Sequence, residues 1–137
     1  MHLTIYTDGG SRGNPGSSAS AFVVYSDNKL VSSGSKFLGT TTNNVAEYSA
    51  IIIALTWLEK YSKTKSVSSV DFIVDSQLAQ RQLTGVYKVK DAGLKVLYTN
   101  VKGLVSTFNF QITFKHVPRS NNREADALVN QTLDENL

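Results

Sequence analysis

The spacing of apolar residues first changes near residue 42, and that change sharply limits the folds open to the chain. Before it, residues 3–7 (LTIYT), 18–26 (SASAFVVYS) and 30–38 (LVSSGSKFL) read as short strands, the last two joined by the polar turn Asp27-Asn28-Lys29. A connection that short favours an antiparallel hairpin. After it, Ala50, Ile53, Ala54, Trp57, Leu58 and Tyr61 recur at helical spacing, predicting a long helix over 43–61 with Thr42 or Asn43 as its cap. Residues 67–74 (VSSVDFIV) and 109–116 (NFQITFKH) read as strands. Residues 76–83 read as a short helix ending near Gly85, and Asp91 caps a third helix whose apolar face is Leu94, Leu97, Tyr98, Val101 and Val105. A last helix over 122–133 carries Ala125, Leu128, Val129 and Leu133. The order β-β-β-α-β-α-α-β-α predicts an α/β fold, a mixed sheet covered by helices. The two later strands, each reached through a helix, run parallel to the first, and ligand sites in such sheets lie beyond the carboxyl ends of the parallel strands.

A chain of 137 residues, 41% hydrophobic and 18% charged, is long enough to bury a core and is expected to form one domain over residues 1–137. It contains no cysteine, so disulfides and thiolate metal sites are excluded. No apolar run is long enough to span a bilayer, and the N-terminal residues lack a signal-peptide pattern, so the expected setting is cytoplasmic. The net charge of +3 is compatible with a nucleic-acid partner without demanding one.

Among eleven acidic residues, four fall where the chain turns toward one edge of such a sheet. Asp8 follows the first strand, in YTDGGSRGNPG, and Asp75 follows the strand at 67–74; on parallel neighbours both emerge at the same edge. Glu47 lies near the start of the long helix and Asp126 early in the last one. Each alone has a plainer reading: a turn residue for either aspartate, a charge favoured by the helix dipole for Glu47, a partner of Arg123 for Asp126. Four carboxylates aimed at one spot repel each other, and a divalent cation reverses that cost. Hard oxygen ligands suit magnesium or manganese, and two such ions about 4 Å apart activate water and stabilise a leaving oxygen in phosphodiester cleavage. Asp71, inside the fourth strand, is expected to be an edge or solvent-facing residue.

Four blocks together, YTDGGSRGNPG, TTNNVAEYSAI, VDSQLA and HVPRSNNREADAL, resemble type 1 ribonuclease H, in that family's order and across nearly the whole chain. The resemblance implies a ribonuclease H-like fold: a five-stranded sheet of three antiparallel strands and two parallel ones, flanked by helices. It implies an endoribonuclease that hydrolyses the RNA strand of RNA/DNA hybrids with two Mg2+ ions (Mn2+ as a substitute) held by Asp8, Glu47, Asp75 and Asp126, leaving 5′-phosphate and 3′-hydroxyl ends. It further implies that Gly9, Gly10, Ser11, Arg12, Asn14, Asn43, Asn44 and Gln77 read 2′-hydroxyls and minor-groove edges, as amides and backbone can, while Thr42 holds a DNA phosphate. No membrane and no obligate protein partner are implied.

Two departures stand out. The segment 83–94 (LTGVYKVKDAGL) is too short for the basic protrusion that many family members carry; Lys88 and Lys90 are the positive charge left there, as in the compact branch found in archaea and some bacteria. The position of a flexible-loop histidine that aids proton transfer in many members is matched by His116, yet the stiff HVP sequence leaves Arg119 as an equal candidate for acting on the leaving phosphate. Other readings are an integrase-like relative, a binding module without catalysis and a nucleotide-binding protein. The asparagine-rich blocks, the complete acidic set and the lack of a Gly-Lys-Ser/Thr ending after GGSRGNPG oppose them in turn.

Overall fold

The computed structural model describes residues 1–137. Strands β1 (His2–Arg12), β2 (Gly16–Ser26) and β3 (Lys29–Thr41) form an antiparallel meander; helix α1 (Asn43–Ser62) leads to β4 (Ser69–Val74). Helices α2 (Gln77–Leu83) and α3 (Ala92–Ser106) then lead to β5 (Gln111–His116), and α4 (Arg123–Glu135) closes the fold. The sheet order is β3-β2-β1-β4-β5, with β1, β4 and β5 parallel, matching the expected five-stranded mixed sheet. The β2–β3 turn is Asp27-Asn28, both with positive φ (50° and 64°), a conformation that Asp and Asn tolerate and that matches the twist of a tight hairpin. Thr42, not Asn43, caps α1: its hydroxyl accepts from the Val45 amide at 3.3 Å. Asp91 caps α3 in the same way at 2.9 Å.

The two faces of the sheet are covered unequally. On one, α1 buries Ile51, Ala54, Leu55 and Leu58 against Leu3 and Ile5 of β1 and Phe72 and Val74 of β4, with Leu94 and Val101 of α3 closing the layer. Each fully buried Leu or Ile contributes about 1.5–3 kcal/mol relative to exposure. Ile53, Trp57 and Tyr61, expected on the inner face of α1, are only half-buried. The run AIIIAL is apolar all the way round the helix, so spacing alone does not select the inward side. On the other face, α4 rests Val129 and Leu133 on Ala19 and Ala21 of β2, a much smaller cluster.

Two expectations need correction. The first strand does not stop at Thr7 as expected: β1 continues through residues 9–12, pairing Asp8 with Ala21 and Arg12 with Ser17. What ends early is the parallel ladder with β4, at Thr7 and Val74. Glycine and serine look like turn formers, but here they extend a strand that has lost one of its two neighbours. Asp71 is not on an edge, because β4 lies between β1 and β5. Its carboxylate accepts from Thr113 Oγ1 and, at 3.1 Å, from Lys115 Nζ. Partial burial pushes its pKa up, but those two hydrogen bonds, with the charges of Lys115 and His2, outweigh it and leave the carboxyl below its ordinary range. No helix is long and apolar enough to cross a membrane.

Candidate active site

Where β1 parts from β4, the chain places three carboxylates together. Asp8 lies one residue past the last β1–β4 pair, Asp75 one residue past the end of β4, and Glu47 in the second turn of α1. One oxygen from each lies within 4.8 Å of the others. Gly9 makes this closeness possible, because a Cβ there would run into the backbone carbonyl of Ala46 in α1. The helix therefore sits directly on the strand. The Ser20 hydroxyl ties it down by donating to the Ala46 carbonyl at 2.6 Å, and the Gly9 amide donates to Glu47 Oε1 at 3.0 Å.

Asp8 and Glu47 are buried, at 4% and 8% exposure, without a cation paired to either. Burial, then the charges of Asp75 and Asp126, push the Asp8 carboxyl up to about 8. Glu47 is raised well above its ordinary value by burial, Asp75 and Asp8. Asp75 is raised mainly by burial, with Arg119 opposing. The cluster thus holds more negative charge than its surroundings compensate.

Asp126 stands at the rim, on the first turn of α4, where Arg119 Nη2 donates to its Oδ1 at 3.1 Å. That bond and the charge of Asp126 hold the guanidinium protonated. Arg119 belongs to a short 3-10 turn, Arg119–Asn121, and lines the cleft together with the carboxylates. His116 is the last residue of β5, paired in register with Val74, exposed and outside the cleft lining.

The cleft is open and encloses about 510 Å³. Gly10, Ser11, Arg12 and Asn43 form one wall. That wall is interlocked: the Ser11 amide donates to Asn43 Oδ1 at 2.9 Å, and the Asn43 amide donates to Asn14 Oδ1 at 3.0 Å. Gly9 is buried and its amide is committed to Glu47, so it offers no free donor surface. Asn44 and Gln77 are exposed beside the cleft, and the Thr42 hydroxyl, accepting from Val45, keeps its own proton to donate. Arg12 reaches across to α4, pairing with Asp134 at 2.7 Å and donating to the Asn130 carbonyl at 3.4 Å.

Ser76 and Asn130 were not singled out in the sequence, yet both line the cleft. Ser76 caps α2, and Asn130 Nδ2 donates to the Asp126 carbonyl at 3.1 Å from one turn further along α4. The spacing from Asp126 to Asn130 was the available clue. Only carboxylate oxygens make up the buried donor set, with neither sulfur nor imidazole, which is what hard divalent cations accept. An uncompensated, buried cluster of this kind fits such a cation.

Residues 6–132 match the family described as "Reverse transcriptase-like". A Ribonuclease HI of Halobacterium salinarum is 39% identical over 132 residues, covering 95% of this chain and 63% of the relative. A bifunctional protein of Mycobacterium tuberculosis is 39% identical over 136 residues, 98% of this chain and 36% of its own length. The chain therefore spans from about one third to under two thirds of these curated relatives. The crystal structure of LC11-RNase H1 in complex with an RNA/DNA hybrid superposes with a TM-score of 0.92 at 38% identity, covering 97% of both chains.

Proposed function

Since the chain belongs to the type 1 ribonuclease H family, we propose that it is a single catalytic domain that hydrolyses the RNA strand of RNA/DNA hybrids, leaving 5′-phosphate and 3′-hydroxyl ends. The observation that carries this reading is the group of Asp8, Glu47 and Asp75 oxygens within 4.8 Å at the floor of an open cleft. A neighbour with a 0.92 TM-score solved on an RNA/DNA hybrid supports the substrate class. Asp8, Glu47, Asp75 and Asp126 would hold two Mg2+ ions, or Mn2+ in their place. Bound there, the ions supply an activated water and charge stabilisation for the leaving 3′ oxygen.

The protein's part is placement. Asp8 and Glu47 are fixed by a strand and a helix that touch through Gly9, so their oxygens need no reorganisation. Arg119, at the rim beside Asp126, is placed to receive charge on the departing phosphate, and this favours it over His116, which is bound into β5. The wall of Gly10, Ser11 and Asn43, braced by Asn14, presents small side chains and amides to ribose hydroxyls, the group that separates RNA from DNA. Arg12, Asn44 and Gln77 flank it, and Thr42 is free to donate to a DNA phosphate. Gly9 also lines the cleft, and it lets α1 approach the strand. A cytoplasmic setting accords with the absence of cysteine.

The test is a labelled RNA/DNA hybrid incubated with Mg2+ and wild type or Asp8→Asn, with single-stranded RNA as control. Wild type is expected to cut the RNA of the hybrid, and Asp8→Asn to lose about 10³-fold or more. A hybrid left intact with both Mg2+ and Mn2+ contradicts the function. Equal cutting by the variant contradicts the site.

A further inference from the structure

Asn122 is 1% exposed and immediately precedes α4. Asparagine there ordinarily caps the helix with its side chain, but this one makes no capping bond. Instead its Nδ2 donates at 2.7 Å to the carbonyl of Thr7, at the point where the β1–β4 ladder ends and one residue before Asp8. Its backbone serves the other side of the site. The Asn122 amide donates to the Arg119 carbonyl at 3.0 Å, and its carbonyl accepts from the Asp126 amide at 3.1 Å. One residue thereby joins β1 beside Asp8, the turn carrying Arg119 and the helix turn carrying Asp126.

The packing makes that junction matter. Asp8, Glu47 and Asp75 are mounted around a 16-residue core cluster, whereas α4 rests on a cluster of four buried residues. At the far end of α4 the Arg12–Asp134 pair is exposed and weakly binding. At the start of α4, the buried Asn122–Thr7 bond at 2.7 Å ties the helix to the sheet, whereas the other polar link on this side, from Arg12 to the Asn130 carbonyl, is exposed and longer at 3.4 Å.

We propose that Asn122 is a positioning residue: it sets the distance and orientation of Asp126 and Arg119 relative to Asp8. The idea extends the functional reading above, since Asp126 is there assigned to cation binding. An outer partner that orients a ligand typically governs about 10–100-fold in metal affinity or activity.

The test compares Asn122→Ala with Val101→Ala, a substitution in the α1–α3 core remote from the cleft, chosen to give a similar loss of thermal midpoint. Mn2+ is titrated calorimetrically into each protein without nucleic acid, and amide exchange is followed along α4. Asn122→Ala is expected to weaken Mn2+ binding about 10-fold and to speed exchange over 123–135. On hybrid it is expected to lower kcat about 10-fold or more with KM within about 3-fold. Val101→Ala should leave Mn2+ affinity and kcat unchanged. Equal Mn2+ affinity in Asn122→Ala and Val101→Ala overturns the proposal. If Asn122→Ala does not fold, Asn122→Ser, whose hydroxyl is too short to reach the Thr7 carbonyl, is judged by the same thresholds. The Mn2+ titration separates the two ideas. A wild type that binds Mn2+ but leaves hybrids intact defeats the ribonuclease reading alone. A wild type that cuts, with undiminished Mn2+ binding in the variant, defeats the role of Asn122 alone.

Discussion

The two faces of the sheet hold the carboxylates of the cleft by different means. Under α1, a large apolar layer and a glycine that admits helix backbone onto strand fix Asp8 and Glu47. Under α4, small residues and a few polar bonds hold Asp126. Burial by a deep core makes position a property of the whole fold, so it is lost only on global unfolding. Thin packing makes position a local property, which can be lost while the rest of the protein stands. The wall with the most strongly raised carboxylates is thus the rigid one, and the rim carrying the Arg119–Asp126 pair is the adaptable one.

That contrast can be broken by cutting equal volumes from each side. Leu55→Ala, in the α1 layer, is expected to cost about 3–5 kcal/mol of global stability in denaturant titration, whereas Leu133→Ala, under α4, should cost about 2 kcal/mol. Only the second should speed amide exchange in α4 ahead of global unfolding. Equal costs and equal exchange patterns would erase the distinction. Neighbouring glycines sharpen it further. Gly9→Ala drives a methyl into the α1 backbone and should cost about 3 kcal/mol, with activity lost alongside. Gly10→Ala meets only Val129 Cγ1 at 3.4 Å, so its stability should stay within about 1 kcal/mol of wild type while KM for hybrid rises. The smallest effect belongs to Arg12 and Asp134, whose side chains are largely exposed. Asp134→Ala should change stability by less than about 1 kcal/mol, and addition of salt should shrink the difference.

The element order and the parallel strands were legible because each run in the chain keeps one period. The cluster of Asp8, Glu47 and Asp75 was legible because all three sit at strand or helix ends, which topology brings to one edge. The extension of β1 to Arg12 was not. Pairing between Gly9–Arg12 and Ser17–Ser20 leaves no apolar alternation, since every residue there except Arg12 is small. Nor was the role of Gly9, which depends on how closely a distant helix packs. Asn122 stayed hidden for the same reason: asparagine before a helix looks like a cap, and only the tertiary fold turns its amide toward Thr7. Nor did the sequence show that His116 stays in the β5 ladder and out of the cleft lining, while Arg119 joins it.

Thermal melting against pH, with and without Mg2+, shows whether the buried carboxylates are a cation site held open by the fold. Asp8 is raised from an ordinary 3.8 to about 8, so between those values the metal-free fold keeps a proton that the unfolded chain releases. Stability from this group is fully present below about pH 4 and is lost as pH rises through about 8; Glu47 shifts in the same direction. Metal-free protein should therefore melt lower at pH 8.5 than at pH 5. Mg2+ should raise the midpoint at pH 8.5, corresponding to about 2.7 kcal/mol of added stability when present at 100 times its dissociation constant, and should do far less at pH 5. Asp8→Asn should flatten the pH dependence and remove most of the Mg2+ effect. A wild type whose stability rises from pH 5 to 8.5, or a Mg2+ shift of the same size in Asp8→Asn, would contradict the claim.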